Sequence, residues 1–214
     1  MTGRCAGFGF THGGKPIGTL CRDLRGDCRC LRLLLTAMSM SSPTPRSDEP
    51  STIVVRRAKT SDVPRIKELI DIYAGKILLA KNLVTLYESI PEFWVAEVDD
   101  LVVGCGALHV LWSDLGEVRT VAVDTAYSGR GIGHRVVGRL MDVARDLGLE
   151  RVFVLTFETA FFSRHGFVEI DGTPVTKPVY EEMTRSYDTG VAEFLDLSFV
   201  KPNTLGNTRM LAHL

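Results

Sequence analysis

The chain has 214 residues, 45% hydrophobic and 24% charged, with a formal net charge of −1. That apolar content suffices for one catalytic domain with a full α/β core, and no apolar run has transmembrane length. The near-zero charge excludes a nucleic-acid partner held by bulk electrostatics, and nothing in the pattern calls for a membrane.

Residues 1–50 are of a different character. They hold Cys5, Cys21, Cys28 and Cys30, carry seven Lys/Arg against four Asp/Glu, and run into SSPTPRSDEPS, a linker-like stretch. Cys21, Cys28 and Cys30 lack the paired C-x-x-C knuckles and nearby His of a zinc set, so no metal is expected. LRLLLTAM is short for a secretory signal and is interrupted by Arg32; Asp23 and Asp27 weigh against an organelle-targeting peptide. The expectation is a disordered extension over 1–50, with Met38 or Met40 as a natural start, and a folded domain over 51–214. Cys105 is then the only cysteine of the body, which fits a reducing compartment and a cytoplasmic location.

From Ile53 the elements follow in order. IVVRRA reads as a strand. TSDVPRIKELIDIY reads as a helix capped by Ser61 or Asp62, with Val63, Ile66, Leu69, Ile70 and Tyr73 on one face. Asn82 caps a second short helix through Tyr87 and Ile90. FWVAEV and VVGCGALHVL form an antiparallel hairpin across Asp99-Asp100, and GEVRTVAV is the next strand. A glycine-rich turn leads into a helix with Val136, Val137, Leu140, Val143, Ala144 and Leu147 on its apolar face. RVFVLTF is a buried strand, and ETAFFSRH is a short helix ended by Gly166 as a left-handed cap. FVEI, a helix PVYEEMTRSY and a last strand AEFLDLSFV complete the domain, leaving 201–214 as a tail. That tail either closes a pocket or docks on a second copy, which leaves a homodimer open.

The strand–glycine turn–helix unit at 118–148 carries the chemistry. Glycines ahead of a helix let an anion approach the unpaired N–H groups of its first turn, where the helix dipole also favours negative charge. A P-loop is excluded because no Lys follows Gly133, and the spacing of Gly129, Gly131 and Gly133 is not G-x-G-x-x-G. A kinase glycine loop lies between two strands rather than before a helix. The bland alternative, a plain turn, leaves the strand–loop–helix order unexplained.

The window Ser128-Gly129-Arg130-Gly131-Ile132-Gly133 resembles motif A of the GNAT acetyltransferase superfamily, [RQ]-x-x-G-x-[GA] after a strand. The resemblance spans about Ile53 to Val200. It implies the GNAT fold, an α/β (α+β) domain whose mixed central sheet of six to seven strands is flanked by helices. It also implies acetyl-CoA as co-substrate, its pyrophosphate on the loop amides through His134 and its pantetheine arm along Val121, Ala122 and Val123. Ser128 replaces the usual Arg or Gln, which removes a side-chain contact but no backbone donor. Phe161-Phe162-Ser163-Arg164-His165-Gly166-Phe167 is similar to a second landmark, whose tyrosine falls here at Phe162. Phenylalanine cannot protonate the leaving thiolate.

Within the superfamily, KILLAKNLVTLYE, GCGALHVL, GEVRTVAVD and FVLTFETAFFSRHGF resemble the acetyltransferase domain of N-acetylglutamate synthases, in a short stand-alone form. The implied reaction is direct acetyl transfer to the α-amine of glutamate, or glutamine, at the first step of arginine biosynthesis. The missing kinase-like domain leaves inherited feedback regulation and the choice between the two acceptors open.

Such a transfer needs a base for the ammonium, donors for an oxyanion and in-line positioning. Glu117 matches the synthases' general base; by itself it reads equally well as a strand residue paired with Arg119. Thr156 is a candidate to hold a bridging water, although alone it is an ordinary strand residue. Lys81, Arg119 and Arg209 are candidate ligands for the acceptor's carboxylate, with Lys76, Lys201 and Asn207 behind them. His134 reads as a polar cap near phosphate, and His109 and His165 as packing groups. The Cys105 thiol is a weak rival nucleophile. Three alternatives remain: acetylation of another small amine or protein N-terminus, a non-catalytic acyl-CoA-binding module, and a metal-bound docking segment formed by the N-terminal cysteines.

Overall fold

The computed structural model describes residues 52–197 and 206–214; the expected N-terminal extension and Lys201 lie outside them. Seven strands form one mixed sheet: β1 (Val54–Arg57), β2 (Phe93–Val98), β3 (Leu101–Trp112), β4 (Leu115–Val123), β5 (Arg151–Thr156), β6 (Val168–Glu169) and β7 (Thr208–His213). Their order across the sheet is β1-β2-β3-β4-β5-β7-β6. Pairing is antiparallel except between β4 and β5. The hairpin of β2 and β3 turns at Asp99 and Asp100, both at positive φ, as the paired Asp residues predict.

Period-two alternation sends side chains to two faces. On one face Trp94, Ala96, Val118, Val152, Val154 and Met210 pack under α3 (Ile132–Asp146). Helix α3 comes close because β3 carries Gly104 and Gly106 there. A Cβ on Gly106 would stand 2.8 Å from Val136 Cγ1, and one on Gly104 2.8 Å from Ile132 Cγ2. On the opposite face two separate cores form. Phe93, Val95, Cys105 and Ala122 pack with α1 (Val63–Tyr73) and α2 (Leu83–Glu88). Leu115, Phe153 and Leu211 pack with Met183 of α5 (Lys177–Met183) and Phe194 of α6 (Thr189–Phe194). The seam between these two half-cores is where the site develops.

Several expectations are corrected. AEFLDLSFV is not the last strand: its first residues belong to α6, and residues 198–200 lie outside the described residues. The Asp188 carboxylate accepts the N–H groups of Gly190 and Val191, capping the helix, while Val191, Ala192, Phe194 and Leu195 recur at helical spacing and are buried. The tail does not lie beyond the sheet, because Thr208–His213 is β7, inserted between β5 and β6. Asp62 does not cap α1 with its side chain. A 3-10 turn at Thr60–Asp62 precedes the helix, and the carboxylate instead accepts from Lys59 N–H at 2.7 Å and Arg56 Nη1 at 2.7 Å. The short helix α4 covers only Thr159–Ser163, and α5 stops at Met183. Asn82 caps α2 as expected, accepting from Thr85 N–H at 2.9 Å.

Candidate active site

Strands β4 and β5 pair over three positions only, Leu115–Glu117 against Arg151–Phe153. Beyond Glu117 they part, and the gap opens between Val118–Val123 and Val154–Thr156. Here β4 also bulges. Cys105 faces Ala122 and Ala107 faces Arg119, so two steps on β3 span three on β4. Thr120 takes up the extra residue at φ 60°, a left-handed conformation costly to a β-branched side chain.

Two adjoining cavities occupy the gap. The larger, about 360 Å³, runs between β4, the end of β5 and α4, with Tyr73 closing one side. Val121, Ala122, Val123, Ser128, Gly133, Thr156 and Phe162 are in its wall. Gly129, Arg130, Gly131, Ile132 and His134, also read from the sequence as cofactor residues, are not. Ile132 is core, and Arg130 lies over the Tyr127 ring at 5.0 Å. Gly131 is the N-cap of α3 at φ 75°, a geometry glycine permits. The first-turn N–H groups of Ile132, Gly133 and His134 have no partner four residues back, so this helix end keeps backbone donors of the kind that suit an anion. His134 Nδ1 lies 2.9 Å from His165 Nε2, and its ring stacks on Phe161 at 4.5 Å.

The smaller cavity, about 90 Å³, lies in the seam between the half-cores. Its wall includes Lys81, Glu117, Arg119, Thr189, Gly190, Glu193 and Asn207. Glu117 and Arg119 alternate on β4 and so share the seam face. Glu117 is 4% exposed, its Oε2 has no hydrogen-bond partner among the described residues, and Arg119 Nη1 stands 4.0 Å away. Burial pushes its carboxyl up to about 7, against the opposing pull of the Arg119 charge. A carboxylate of that kind is poised to accept a proton near neutral pH.

Arg119 is committed elsewhere. It donates to Asp188 Oδ1 at 2.9 Å and Glu92 Oε2 at 3.0 Å, and Glu92 is in turn 2.8 Å from His109 Nδ1. Lys81 has no ion pair within 4 Å among the described residues, and burial lowers its pKa. Arg209 stands outside both walls. It donates to the carbonyls of Gly172 and Phe194 and lies over the rings of Phe153 and Phe194. Lys76 is likewise in neither wall.

Thr156 and Glu117 are in different cavities; the Thr156 hydroxyl accepts Glu158 N–H at 2.9 Å. Cys105 is buried away from both cavities, with its thiol pushed up to about 12 by desolvation, which removes it as a nucleophile. The sequence reading missed Tyr73, Thr120, Asp188 and Glu193 as site residues. Asp188-Thr-Gly was legible as a helix cap, but the strand assigned to the following residues hid it. Tyr73 was legible only as an apolar helix position; its hydroxyl donates to the Val123 carbonyl at 2.6 Å.

Comparison with known proteins agrees with this geometry. Residues 65–167 match the model of the acetyltransferase (GNAT) family. The amino-acid acetyltransferase of Mycobacterium tuberculosis is 76% identical over 161 residues, covering 74% of this chain and 92% of that protein. A Mycobacterium tuberculosis structure in complex with CoA and NLQ superposes with TM-score 0.73 at 75% identity, over 75% of this chain and 99% of its own. The N-acetylglutamate synthase of Neisseria gonorrhoeae, complexed with coenzyme A and N-acetyl-glutamate, gives TM-score 0.61 at 25% identity. There the match covers 78% of this chain but only 36% of the synthase. With the parted strands, the bulge and the glycine-capped helix in place, these relationships mean that the chain belongs to the GNAT acetyltransferase family.

Proposed function

We propose that this protein is an acetyl-CoA-dependent amino-acid N-acetyltransferase that acetylates the α-amine of L-glutamate or L-glutamine, the first step of arginine biosynthesis. The observation that carries the reading is the pair of cavities with a shared wall. The larger fits an acyl-CoA arm along the free edge of β4. The smaller holds a buried carboxylate that, among the described residues, lacks a hydrogen bond and has only the Arg119 charge at 4.0 Å, and beside it a lysine without an ion pair among those residues.

In this reading Glu117 takes the ammonium proton, directly or through water, and the freed amine attacks the acetyl carbonyl across the shared wall. Holding both partners there supplies rate by proximity. Backbone N–H groups of the β4 bulge face the carbonyl oxygen, and CoA departs as a thiolate, since Phe162 offers no proton. No acyl-enzyme forms, in keeping with the inert Cys105. Lys81 binds the acceptor's α-carboxylate, which gives its buried ammonium a counter-charge. Arg119 shapes the pocket from its fixed place between Glu92 and Asp188. Glu193, also in the wall, suits the side-chain amide of glutamine better than a second carboxylate.

Thiol release from acetyl-CoA, followed with a panel of amino acids and polyamines, tests this. Turnover with glutamine or glutamate is expected. It should fall on the order of 10²–10⁴-fold in Glu117→Gln, the usual range for losing a general base. Turnover with unrelated amines alone would overturn the acceptor assignment. Tight acetyl-CoA binding without turnover would favour a binding module instead.

A further inference from the structure

We propose that the Thr120 hydroxyl is a catalytic hydrogen-bond donor to the acetyl carbonyl oxygen as that oxygen becomes an oxyanion. Six residues belong to both cavity walls: Ile77, Leu78, Val118, Arg119, Thr120 and Leu155. Bond making must occur at this shared boundary, because the thioester comes from one side and the amine from the other. Four of the six side chains are aliphatic. The fifth, Arg119, already spends its guanidinium on Glu92 and Asp188. Among these six, only Thr120 brings an uncommitted side-chain donor, which adds to the backbone N–H groups of the bulge.

The backbone supports the same conclusion. Thr120 is the extra residue of the β4 bulge, at φ 60° and 9% exposed. A β-branched residue in the left-handed region is strained, and glycine or asparagine would relieve that strain. Its hydroxyl has no hydrogen-bond partner among the described residues, yet it is not among the sealed unpaired polar atoms, so it opens onto cavity space. A nearly dry setting strengthens a hydrogen bond to developing charge. The carbonyl oxygen is its target rather than sulfur, because a tetrahedral alkoxide is a far stronger base than a departing thiolate.

The step balances without a further reactant. The amine lone pair forms the C–N bond while the carbonyl π pair moves to oxygen. On collapse that pair re-forms the carbonyl, the C–S bond breaks, and its electrons leave on sulfur. Nitrogen loses two protons overall: the first resides on Glu117 before the attack, and the second leaves to solvent as the intermediate collapses, so the product is a neutral amide and CoA a thiolate. Thr120 keeps its own proton throughout.

This inference rests on the acetyl-transfer reading above, and the experiment separates the two. Thr120→Val, Thr120→Ser and Thr120→Ala are made in the full chain. Each is assayed with whichever amine the unaltered protein acetylates best, alongside CoA affinity and thermal melting. Valine keeps the shape and the backbone strain and removes only the hydroxyl. The expected result is a kcat loss on the order of 10²-fold in Thr120→Val, with unchanged CoA affinity and a near-normal KM for the amine. Thr120→Ser should restore most of the rate. Should valine fail to fold, Thr120→Ala against Thr120→Ser makes the same comparison. Unaltered kcat without the hydroxyl, or equal losses with and without it, overturns the proposal. If the best acceptor is neither glutamate nor glutamine, the substrate assignment fails while Thr120 is still judged on the amine found. Absence of turnover with every amine overturns both.

Discussion

At the scale of single residues, the site depends on a carboxylate held where water cannot easily reach it. Glu117 carries a pKa lifted by burial from 4.5 to about 7, so this carboxyl is half protonated near neutral pH. The rate with an amino-acid acceptor is therefore expected to climb as pH rises through about 7 and then level off. In Glu117→Gln that inflection should vanish from the pH profile of kcat/KM. The same shift has a sign for stability. Because the folded pKa lies above the unfolded value, the native state binds more protons between pH 4.5 and about 7. Stability from this group thus falls as pH rises across that window. Glu117→Gln, which cannot ionise, should melt at a higher temperature than the unaltered protein at pH 8, with a smaller difference at pH 5. An equal or lower melting temperature at pH 8 would contradict the buried-carboxylate account. Glu117 itself was nameable from the sequence through the synthase resemblance. Its lack of a hydrogen bond among the described residues was not, because that depends on where α6 and the loop after α1 come to rest.

At the scale of elements, the short helix α6 links folding to the site. Its N-cap, Asp188, does two tasks: it accepts the Gly190 and Val191 N–H groups and it holds Arg119 Nη1 at 2.9 Å. One oxygen, Oδ1, serves both, so substitution affects them together. Asp188→Ala should lower stability by about 1 kcal/mol for the cap alone. It should also raise KM for the amino acid through a displaced Arg119, leaving CoA affinity unchanged. Asp188→Asn keeps Oδ1, the oxygen that serves both the cap and Arg119, so urea denaturation should show little loss and KM should rise less than in Asp188→Ala. If both variants bind the acceptor normally, Arg119 has no part in shaping the pocket. The α6 region also marks where sequence reading failed. AEFLDLSFV alternates well enough to pass for a strand, and a run of that length is ambiguous without its cap. By contrast, the glycine loop, α3 and the β2–β3 hairpin were legible because periodicity, glycine placement and turn residues all agree there.

At the scale of the whole molecule, the last strand holds one half of the sheet together. β7 pairs with β5 from Arg151↔His213 to Thr156↔Thr208 and with β6 at Val168↔Leu211 and Glu169↔Met210. It also buries Met210, Leu211 and Ala212. Full burial of a Leu or Met side chain is worth about 1.5–3 kcal/mol. Losing several of these and a ladder compares with a typical total stability of about 5–15 kcal/mol. A chain ending at Asn207 is therefore expected to lose cooperative urea unfolding; a sharp, two-state transition in that variant would show that β7 is dispensable. The sequence by itself determined the order of elements up to β5, the glycine turn before α3, the family resemblance and Glu117 as a candidate base. Those features are local, or rest on residue types at fixed spacing. Only the tertiary structure decided that the C-terminal residues enter the sheet as β7 and that Arg209 supports packing outside the cavities. It alone placed Thr120 at the wall common to both. Strand insertion, side-chain partnership and the parting of β4 from β5 are set by contacts between segments far apart in the chain, which no local pattern encodes.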